Sequence, residues 1–152
     1  MNIFIGADHR GFSLKEDIKT YLLSKGYVVT DVGAHELNLD DDYPDIALLV
    51  ANEVAKDLNN RGILICGSAM GMDVVANKVK GIRATVAYSK ISAQHARQND
   101  NISIISLAGD ILKVREAQEI VDIFLSTSFS GEERYLRRLQ KIADIENQNF
   151  KS

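Results

Sequence analysis

Two short stretches of the chain combine side chains that can move protons. The first, Ala7-Asp8-His9-Arg10-Gly11, joins a carboxylate to an imidazole, and the second, Gly67-Ser68-Ala69-Met70-Gly71, directly follows the single cysteine, Cys66. A carboxylate, an imidazole and a thiol are groups that enzymes use as acids and bases near neutral pH. We therefore expect proton-transfer chemistry if the fold brings the two stretches together.

The surroundings of Cys66 favour a functional thiol. The apolar run Gly62-Ile-Leu-Ile-Cys66 predicts a central strand with the cysteine at its carboxyl end. The following glycines and the Ser68 hydroxyl predict a loop whose backbone N–H groups bind an anion and favour the thiolate. The alternative is that Cys66 is a small buried apolar residue. The loop has neither the Gly-Lys-Ser/Thr of a nucleotide phosphate loop nor the G-x-G-x-x-G spacing, so nucleotide chemistry is disfavoured.

The histidines do not predict a metal site. No two of His9, His35 and His95 show metal-ligand spacing with each other or with Cys66. Asp8 and His9 also have a simpler interpretation, in which Asp8 caps the next helix and His9 is a solvated loop residue. The local pattern leaves both interpretations open.

Five short apolar or β-branched runs, each followed by a segment with helical spacing, must position these loops. The predicted strands are 2–6, 27–32, 62–66, 82–86 and 102–107. The predicted helices are 11–25, 45–58, 71–78, 89–98 and 114–125. This alternation is typical of an α/β fold with a doubly wound parallel sheet and helices on both faces. Ligands in such folds bind outside the carboxyl ends of the strands, where both chemical loops begin.

One further helix is predicted from Glu132 to about Asn147. Its apolar stripe is narrow, so the helix is a candidate for packing on a partner subunit. Its basic residues are Arg134, Arg137, Arg138 and Lys141. Beside two glutamates, they are most simply a solvated face of the helix.

Length and composition predict one domain over residues 1–152 with a single core. The 152 residues are 45% hydrophobic, and the net charge of −3 gives no basic excess for nucleic acid or an anionic membrane. No apolar run approaches the length of a membrane-spanning helix, and the amino terminus lacks a secretory pattern. With one cysteine and so no intrachain disulfide, the chain is expected to be cytoplasmic.

Several motifs occur along the chain in a recognisable order. They are Gly6-Ala-Asp-His-Arg-Gly-Phe12, Asp42-Tyr-Pro-Asp45, Gly62-Ile-Leu-Ile-Cys-Gly-Ser-Ala-Met-Gly-Met72, Ala76-Asn-Lys78, Gly81-Ile-Arg-Ala84 and Gly131-Glu-Glu-Arg134 with Arg138. Over nearly the whole chain this pattern resembles ribose-5-phosphate isomerase B, a family that includes the galactose-6-phosphate isomerase subunits. The resemblance implies a Rossmann-like subunit in a homodimer or a dimer of dimers. It also implies active sites at the subunit interface and no metal or organic cofactor.

The resemblance implies a role for each matching residue. Cys66 would be the base that moves a proton between C1 and C2 of a sugar phosphate through a cis-enediolate, and Asp8 would help to open the sugar ring. The residues implied to hold the enediolate oxygens are Ser68 and the backbone of Gly67, Ala69, Met70 and Gly71. The residues implied to bind the rest of the substrate are His9, Arg134 and Arg138 at the phosphate and Tyr43 and Asn77 at the sugar.

Three positions depart from the family pattern. Asn99 stands where many members carry a histidine assigned to ring opening, and an amide cannot transfer a proton at neutral pH. His95, one helical turn earlier, is a candidate replacement. Asp110 stands where an arginine usually faces the phosphate, so repulsion is expected there unless Arg134, Arg138 or another cation compensates. Ala69 replaces a usual glycine, which makes the loop after Cys66 less permissive.

We therefore predict an aldose–ketose isomerase that interconverts ribose 5-phosphate and ribulose 5-phosphate. The changes at Asn99 and Asp110 leave two alternatives. One is an isomerase of a six-carbon substrate, such as galactose 6-phosphate or allose 6-phosphate. The other is a non-catalytic subunit that only binds sugar phosphate.

Overall fold

Five strands form a parallel sheet in the computed structural model, which describes residues 1–150. The strands are β1 (Ile3–Ala7), β2 (Val29–Gly33), β3 (Arg61–Cys66), β4 (Ala84–Val86) and β5 (Ile104–Ala108). Their order across the sheet is β2-β1-β3-β5-β4, and the neighbouring strands are parallel. Ala7 pairs with Ile65 and Cys66 with Ala108, so the loops after β1, β3 and β5 begin side by side.

Helices cover both faces of this sheet. They are α1 (Phe12–Ser24), α2 (Tyr43–Ala55), α3 (Met70–Ala76), α4 (Lys90–Asp100), α5 (Val114–Ser126) and α6 (Glu133–Asn149). On one face, buried residues of α1, α4 and α5, such as Ile18 and Ile120, join a core with Ile5 of β1. On the other face, α2 and α3 form a second core, in which Val50 and Leu64 are fully buried. The predicted Rossmann-like, doubly wound sheet is confirmed.

Three strands begin two residues later than predicted. They are β2, β4 and β5, which begin at Val29, Ala84 and Ile104. Ile82 and Ile102 are buried and apolar, but their N–H groups donate to the carbonyls of Val79 and Ala96. The apolar run therefore begins before the strand does, because these residues are buried in turns that precede the sheet.

Two helices differ from the prediction at an end that bears on the site. α2 begins at Tyr43 rather than at residue 45, since Pro44 is well tolerated in the first helical turn. α4 continues to Asp100 and is followed by Asn101 in a left-handed conformation, with a φ of 48°. Asn99 is therefore a helical residue.

The predicted C-terminal helix is present as α6 and contacts α4. Among the residues that the structure describes, α6 has no buried member. Its apolar residues Leu136, Ile142 and Ile145 are exposed. None of the helices within residues 1–150 is long and apolar enough to cross a membrane.

Candidate active site

A cleft of about 510 Å³ opens where the loops after β1 and β3 meet. Its lining residues are Asp8, His9, Arg10, Asp41, Asp42, Tyr43, Cys66, Gly67, Ser68 and Gly71. Backbone bonds hold the surrounding loops together: the Asp8 N–H donates to the Ile65 carbonyl at 3.3 Å, and the Gly109 N–H donates to the Cys66 carbonyl at 2.8 Å. The fold thus brings together the carboxylate, the imidazole and the thiol of the two chemical loops.

Asp8 is buried where β1 ends, with part of its surface in the cleft. Its Oδ1 accepts hydrogen bonds from the backbone N–H groups of Arg10 and Gly11, each at 3.0 Å. These bonds shape the turn before α1, whose first turn has no side-chain cap. Burial raises the pKa of the Asp8 carboxyl, although these N–H groups and His9 act in the opposite direction. Asp8 therefore holds a proton more readily than an ordinary aspartate.

Cys66 is the last residue of β3 and is 5% exposed. Burial raises the pKa of its thiol, and the Asp8 carboxylate raises it further. The backbone N–H groups of Met72, Ala69 and Ser68 oppose this rise without outweighing it. The loop N–H groups thus favour the thiolate, as expected, but burial destabilises the thiolate more than they stabilise it.

His9 is held in one orientation by Asp41. The His9 Nδ1 lies 2.7 Å from Asp41 Oδ1, and the same oxygen accepts the His9 backbone N–H at 3.1 Å. The partly exposed His9 ring is thus oriented by a specific partner, which leaves Nε2 as the ring nitrogen for a ligand in the cleft. Within residues 1–150, the buried Asp41 Oδ2 has no hydrogen-bond partner.

A buried lysine supports the segment that leads to Asp41. The Lys15 side chain is fully buried, and its Nζ donates to Asp31 Oδ2 at 2.7 Å and to the Ala34 carbonyl. Lys19 donates to the same Asp31 oxygen at 2.8 Å. Burial acts to raise the pKa of the Asp31 carboxyl, but the two lysines outweigh it and the pKa is lowered. These bonds tie α1 to the end of β2, where the loop towards Asp41 starts.

Two glycines of the cysteine loop leave room for side chains from other loops. A Cβ at Gly71 would come within 2.7 Å of the Tyr43 ring. A Cβ at Gly67 would come within 2.7 Å of the Arg10 Nε. Tyr43 and Arg10 therefore reach the cleft across positions that lack a side chain.

The residues between these glycines differ in their access to the cleft. Ser68 is exposed and lines it. Ala69 is fully buried and has a φ of 69°, a left-handed conformation that costs an alanine about 1–2 kcal/mol. The exposed Met70 side chain lines a separate apolar cavity beside Tyr88. Any contribution of Ala69 and Met70 to the cleft is therefore limited to their backbone.

Arg10 and Asp110 meet above Gly67. The Arg10 Nη2 donates a hydrogen bond to Asp110 Oδ2, and the Asp110 backbone N–H donates to the Gly67 carbonyl at 3.1 Å. The sequence predicted a carboxylate at position 110 that repels an anion. The sequence left this repulsion open to compensation by a cation, and Arg10 from the first loop is a cation that pairs with Asp110.

Asn77 does not reach the cleft as predicted. It donates to the Ala84 carbonyl at 3.0 Å and accepts the Ala84 N–H at 2.9 Å. The amide thus joins the end of α3 to β4 and is engaged on both sides. Its role within this subunit is structural.

The other predicted residues outside this cleft lie on α4 and α6. Asn99 and the exposed His95 are on α4. Arg134 and Arg138 are exposed on α6, where both guanidinium groups lie near the Tyr135 ring. One subunit therefore does not bring these four side chains to its own Cys66.

The sequence pattern alone missed three lining residues, which are Arg10, Asp41 and Asp42. Arg10 and Asp42 stand inside motifs that already contain Asp8 and Tyr43, so proximity along the chain was an available signal. No pattern linked Asp41 to His9. In the part of the chain that the structure describes, no group of three or more His, Cys, Asp or Glu residues could hold a metal ion.

Comparisons with known proteins identify the family of the chain. Residues 3–142 match the family model described as ribose/galactose isomerase. A relative from Mycoplasma genitalium, named probable ribose-5-phosphate isomerase B, is 42% identical over 148 residues, which are 97% of each chain. The crystal structure of ribose-5-phosphate isomerase B from that organism, with bound ribulose 5-phosphate, has a TM-score of 0.94 at 42% identity and 97% coverage of both chains.

A third relative differs in the substrate that its name gives. It is a D-erythrulose-4-phosphate isomerase from Pectobacterium atrosepticum, and it is 39% identical over 131 residues, which are 86% of each chain. Fold, cleft and comparisons lead to one conclusion: the chain is an isomerase that belongs to the ribose/galactose isomerase family.

Proposed function

We propose that this isomerase interconverts ribose 5-phosphate and ribulose 5-phosphate, with Cys66 as the base. The observation that carries the proposal is the grouping of Cys66, Asp8 and His9 in one cleft at the carboxyl edge of the sheet. The 42% identity to an enzyme whose crystal structure holds ribulose 5-phosphate supports the choice of substrate. The reaction requires an opened sugar ring, a proton moved between neighbouring carbons, and donors for the charge that develops.

Ring opening falls to Asp8. Its raised pKa lets it hold a proton, which passes to the ring oxygen as the C1–O4 bond breaks and the C1 hydroxyl releases its own proton to solvent. The backbone N–H groups of Arg10 and Gly11 fix Oδ1, so the carboxyl is positioned before the substrate binds.

Proton transfer between the carbons falls to Cys66. The thiolate removes the C2 proton, the electrons of that bond form the C1–C2 double bond, and negative charge develops on O1. The thiol then returns the proton to C1, while the O2 proton passes to O1, which leaves a hydroxyl on C1 and a ketone at C2. The Ser68 hydroxyl and the backbone N–H groups of the loop stabilise the enediolate, at about 3–4 kcal/mol per donor.

The decisive test is turnover of ribose 5-phosphate by wild type and by Cys66→Ala. We expect kcat to fall about 10²- to 10⁴-fold in the variant, with KM little changed. In the wild type, kcat/KM should rise with pH across the neutral range, because burial raises the pKa of the thiol and the thiolate is the minor form there. Full activity in Cys66→Ala, or wild-type protein that binds ribose 5-phosphate without turnover, contradicts the proposal. The second outcome favours a non-catalytic binding subunit.

We also propose that two copies of the chain share each active site. The exposed apolar residues of α6, including Leu136 and Ile142, would be covered in a symmetric dimer. Such a dimer would bring Arg134 and Arg138, with Asn99 from α4, to the cleft of the partner subunit. Arg134 and Arg138 lie outside the cleft of their own subunit, and this position supports the shared site.

Mixed dimers test the shared site. Cys66→Ala and Arg138→Ala homodimers would each lack one component in both sites. Mixed after dissociation, they should regain on the order of a quarter of wild-type activity, because each mixed dimer would contain one complete site. Activity that stays at the level of the separate variants, or a monomer by light scattering, would contradict a shared site.

His95 is the proposed aid to ring opening in place of the histidine missing at position 99. His95→Ala should then slow turnover of the cyclic substrate, as measured by the rate of ribulose 5-phosphate formation. Unchanged turnover would leave ring opening to Asp8.

A second candidate function is isomerisation of a sugar phosphate with a different number of carbon atoms. The relative named for D-erythrulose 4-phosphate, at 39% identity, favours testing four carbons, and the exchanged charge at Asp110 favours testing six. We would compare kcat/KM for erythrulose 4-phosphate, ribose 5-phosphate, galactose 6-phosphate and allose 6-phosphate. The proposal requires the five-carbon substrate to have the highest value.

A further inference from the structure

We propose that Arg10, positioned by Asp110, binds the phosphate group of the substrate. This inference rests on the proposed function, since it assigns the phosphate of that substrate to a residue of the same cleft. Asp110 acts through Arg10 and is a positioning residue.

The charge of the cleft calls for such a cation. Among its lining residues within 1–150, Arg10 is the one side chain with a permanent positive charge. The carboxyl groups of Asp8, Asp41 and Asp42 line the same cleft. Without Arg10, the side chains that this subunit itself contributes to the cleft would present a predominantly negative surface to a phosphate dianion.

The geometry places the guanidinium beside the reacting centre. Because Gly67 has no side chain, the Arg10 Nε and Cζ lie 2.7 and 2.8 Å from the position that a Cβ would take there. Gly67 directly follows Cys66, so the guanidinium borders the loop that carries the proposed base. A phosphate bound here would tether a sugar within reach of that loop.

Asp110 fixes the direction of the Arg10 guanidinium and occupies few of its N–H donors. Its Oδ2 accepts the Arg10 Nη2, and its backbone is tied to the Gly67 carbonyl at 3.1 Å. Among residues 1–150, Asp110 is the sole side chain that accepts a hydrogen bond from the Arg10 guanidinium. Most N–H donors of the guanidinium are therefore left for a ligand. A planar guanidinium with free donors matches phosphate oxygens in a bidentate geometry.

The pair is poorly placed to stabilise the fold. The Arg10 and Asp110 side chains are 59% and 39% exposed, and ion pairs this open to solvent contribute little to folding. Variants at these positions should therefore fold, and their effect should fall on phosphate recognition.

The test is steady-state kinetics with ribose 5-phosphate, together with competitive inhibition by inorganic phosphate. Arg10→Ala should raise KM and the phosphate inhibition constant about 10- to 100-fold, with kcat within about threefold of wild type, because a charge-assisted bidentate contact is lost. The matched control is Arg115→Ala. Arg115 is an exposed arginine that pairs with Glu119 on α5, outside the cleft, and its loss should leave both constants unchanged.

A rescue variant tests the position of the cation. In the double variant Arg10→Ala with Asp110→Arg, a guanidinium reaches the space over Gly67 from the opposite loop. We expect the KM of this double variant to be at least about tenfold lower than that of Arg10→Ala. Failure to recover would overturn the assignment of the phosphate to this space.

The two proposals fail in different ways. If the wild type does not interconvert ribose 5-phosphate and ribulose 5-phosphate, the proposed function fails. If the wild type does so, and Arg10→Ala keeps wild-type KM and phosphate inhibition, the role of Arg10 fails and the proposed function stands.

Discussion

Replacing Lys15 with methionine tests whether a buried ion pair holds the segment that leads to Asp41. Methionine is similar in length, carries no charge and adapts to irregular core space. The substitution removes the donor that Asp31 and the Ala34 carbonyl share. Asp31 keeps its second lysine, Lys19, at 2.8 Å.

The expected loss is about 2–3 kcal/mol in the free energy of unfolding. Removing one partner of a buried ion pair costs about 3–5 kcal/mol when the other charge is left alone. Here Lys19 still neutralises Asp31, and the group left without this donor is the Ala34 carbonyl, at about 1–3 kcal/mol. The expected loss in the free energy of unfolding is therefore smaller than for a buried charge that is left without any partner.

Urea unfolding of the variant measures this loss, with Lys56→Met as the matched control. Lys56 pairs with Glu53 at 2.6 Å, but its side chain is 65% exposed, so its removal should cost less than about 0.5 kcal/mol. Both variants delete one lysine from a short ion pair and differ in burial. A loss below about 1 kcal/mol for Lys15→Met would refute the reasoning.

The loss should also depend on pH. Burial acts to raise the pKa of Asp31, but the lysines outweigh it and lower that pKa below its unfolded value. A carboxylate of this kind stabilises the fold above its unfolded pKa, and the contribution is lost as pH falls through the folded pKa. The gap between wild type and Lys15→Met should therefore narrow below about pH 4.

Three further substitutions have directions that the structure sets. Asp8→Asn removes a carboxylate that raises the pKa of Cys66, so the acid limb of kcat/KM should move to lower pH while ring opening slows, as a pH–rate profile would show. Burial raises the pKa of Asp73, so Asp73→Asn should raise the urea midpoint of unfolding at pH 7. Below about pH 4 the substitution should bring no gain, because the wild-type carboxyl is then protonated in the folded and the unfolded protein. Gly71→Ala should displace the Tyr43 ring and raise KM for ribose 5-phosphate roughly tenfold, the loss of about one hydrogen bond.

Local patterns predicted the fold well and the strand ends less well. The alternation of apolar runs and helical spacing was sufficient for a doubly wound sheet, because both signals come from neighbouring residues. Ile82 and Ile102 extended two apolar runs beyond the strands, since a buried turn and a buried strand require the same residue type. The start of α2 was missed because Pro44 marks a first helical turn as readily as a break.

For the cleft, too, the sequence predicted the residues at strand ends and missed the contacts between distant loops. Asp8, His9 and Cys66 stand at strand ends, so the topology alone placed them at one edge of the sheet. The pairing of Arg10 with Asp110 joins loops that lie 100 residues apart in the chain, and no local pattern encodes it. The loop glycines, visible in the sequence, indicated the backbone N–H groups that lower the pKa of Cys66, whereas the burial that raises this pKa depends on the packed fold.

The burial of Cys66 has a consequence for the durability of the protein. Peroxides and disulfides attack the thiolate of an accessible cysteine, and this thiol is 5% exposed with a raised pKa. At rest, the sulfur is thus shielded from sulfenic acid formation and from mixed disulfides. If Cys66 acts as the proposed base, the burial that disfavours its thiolate also protects the residue from oxidation between turnovers.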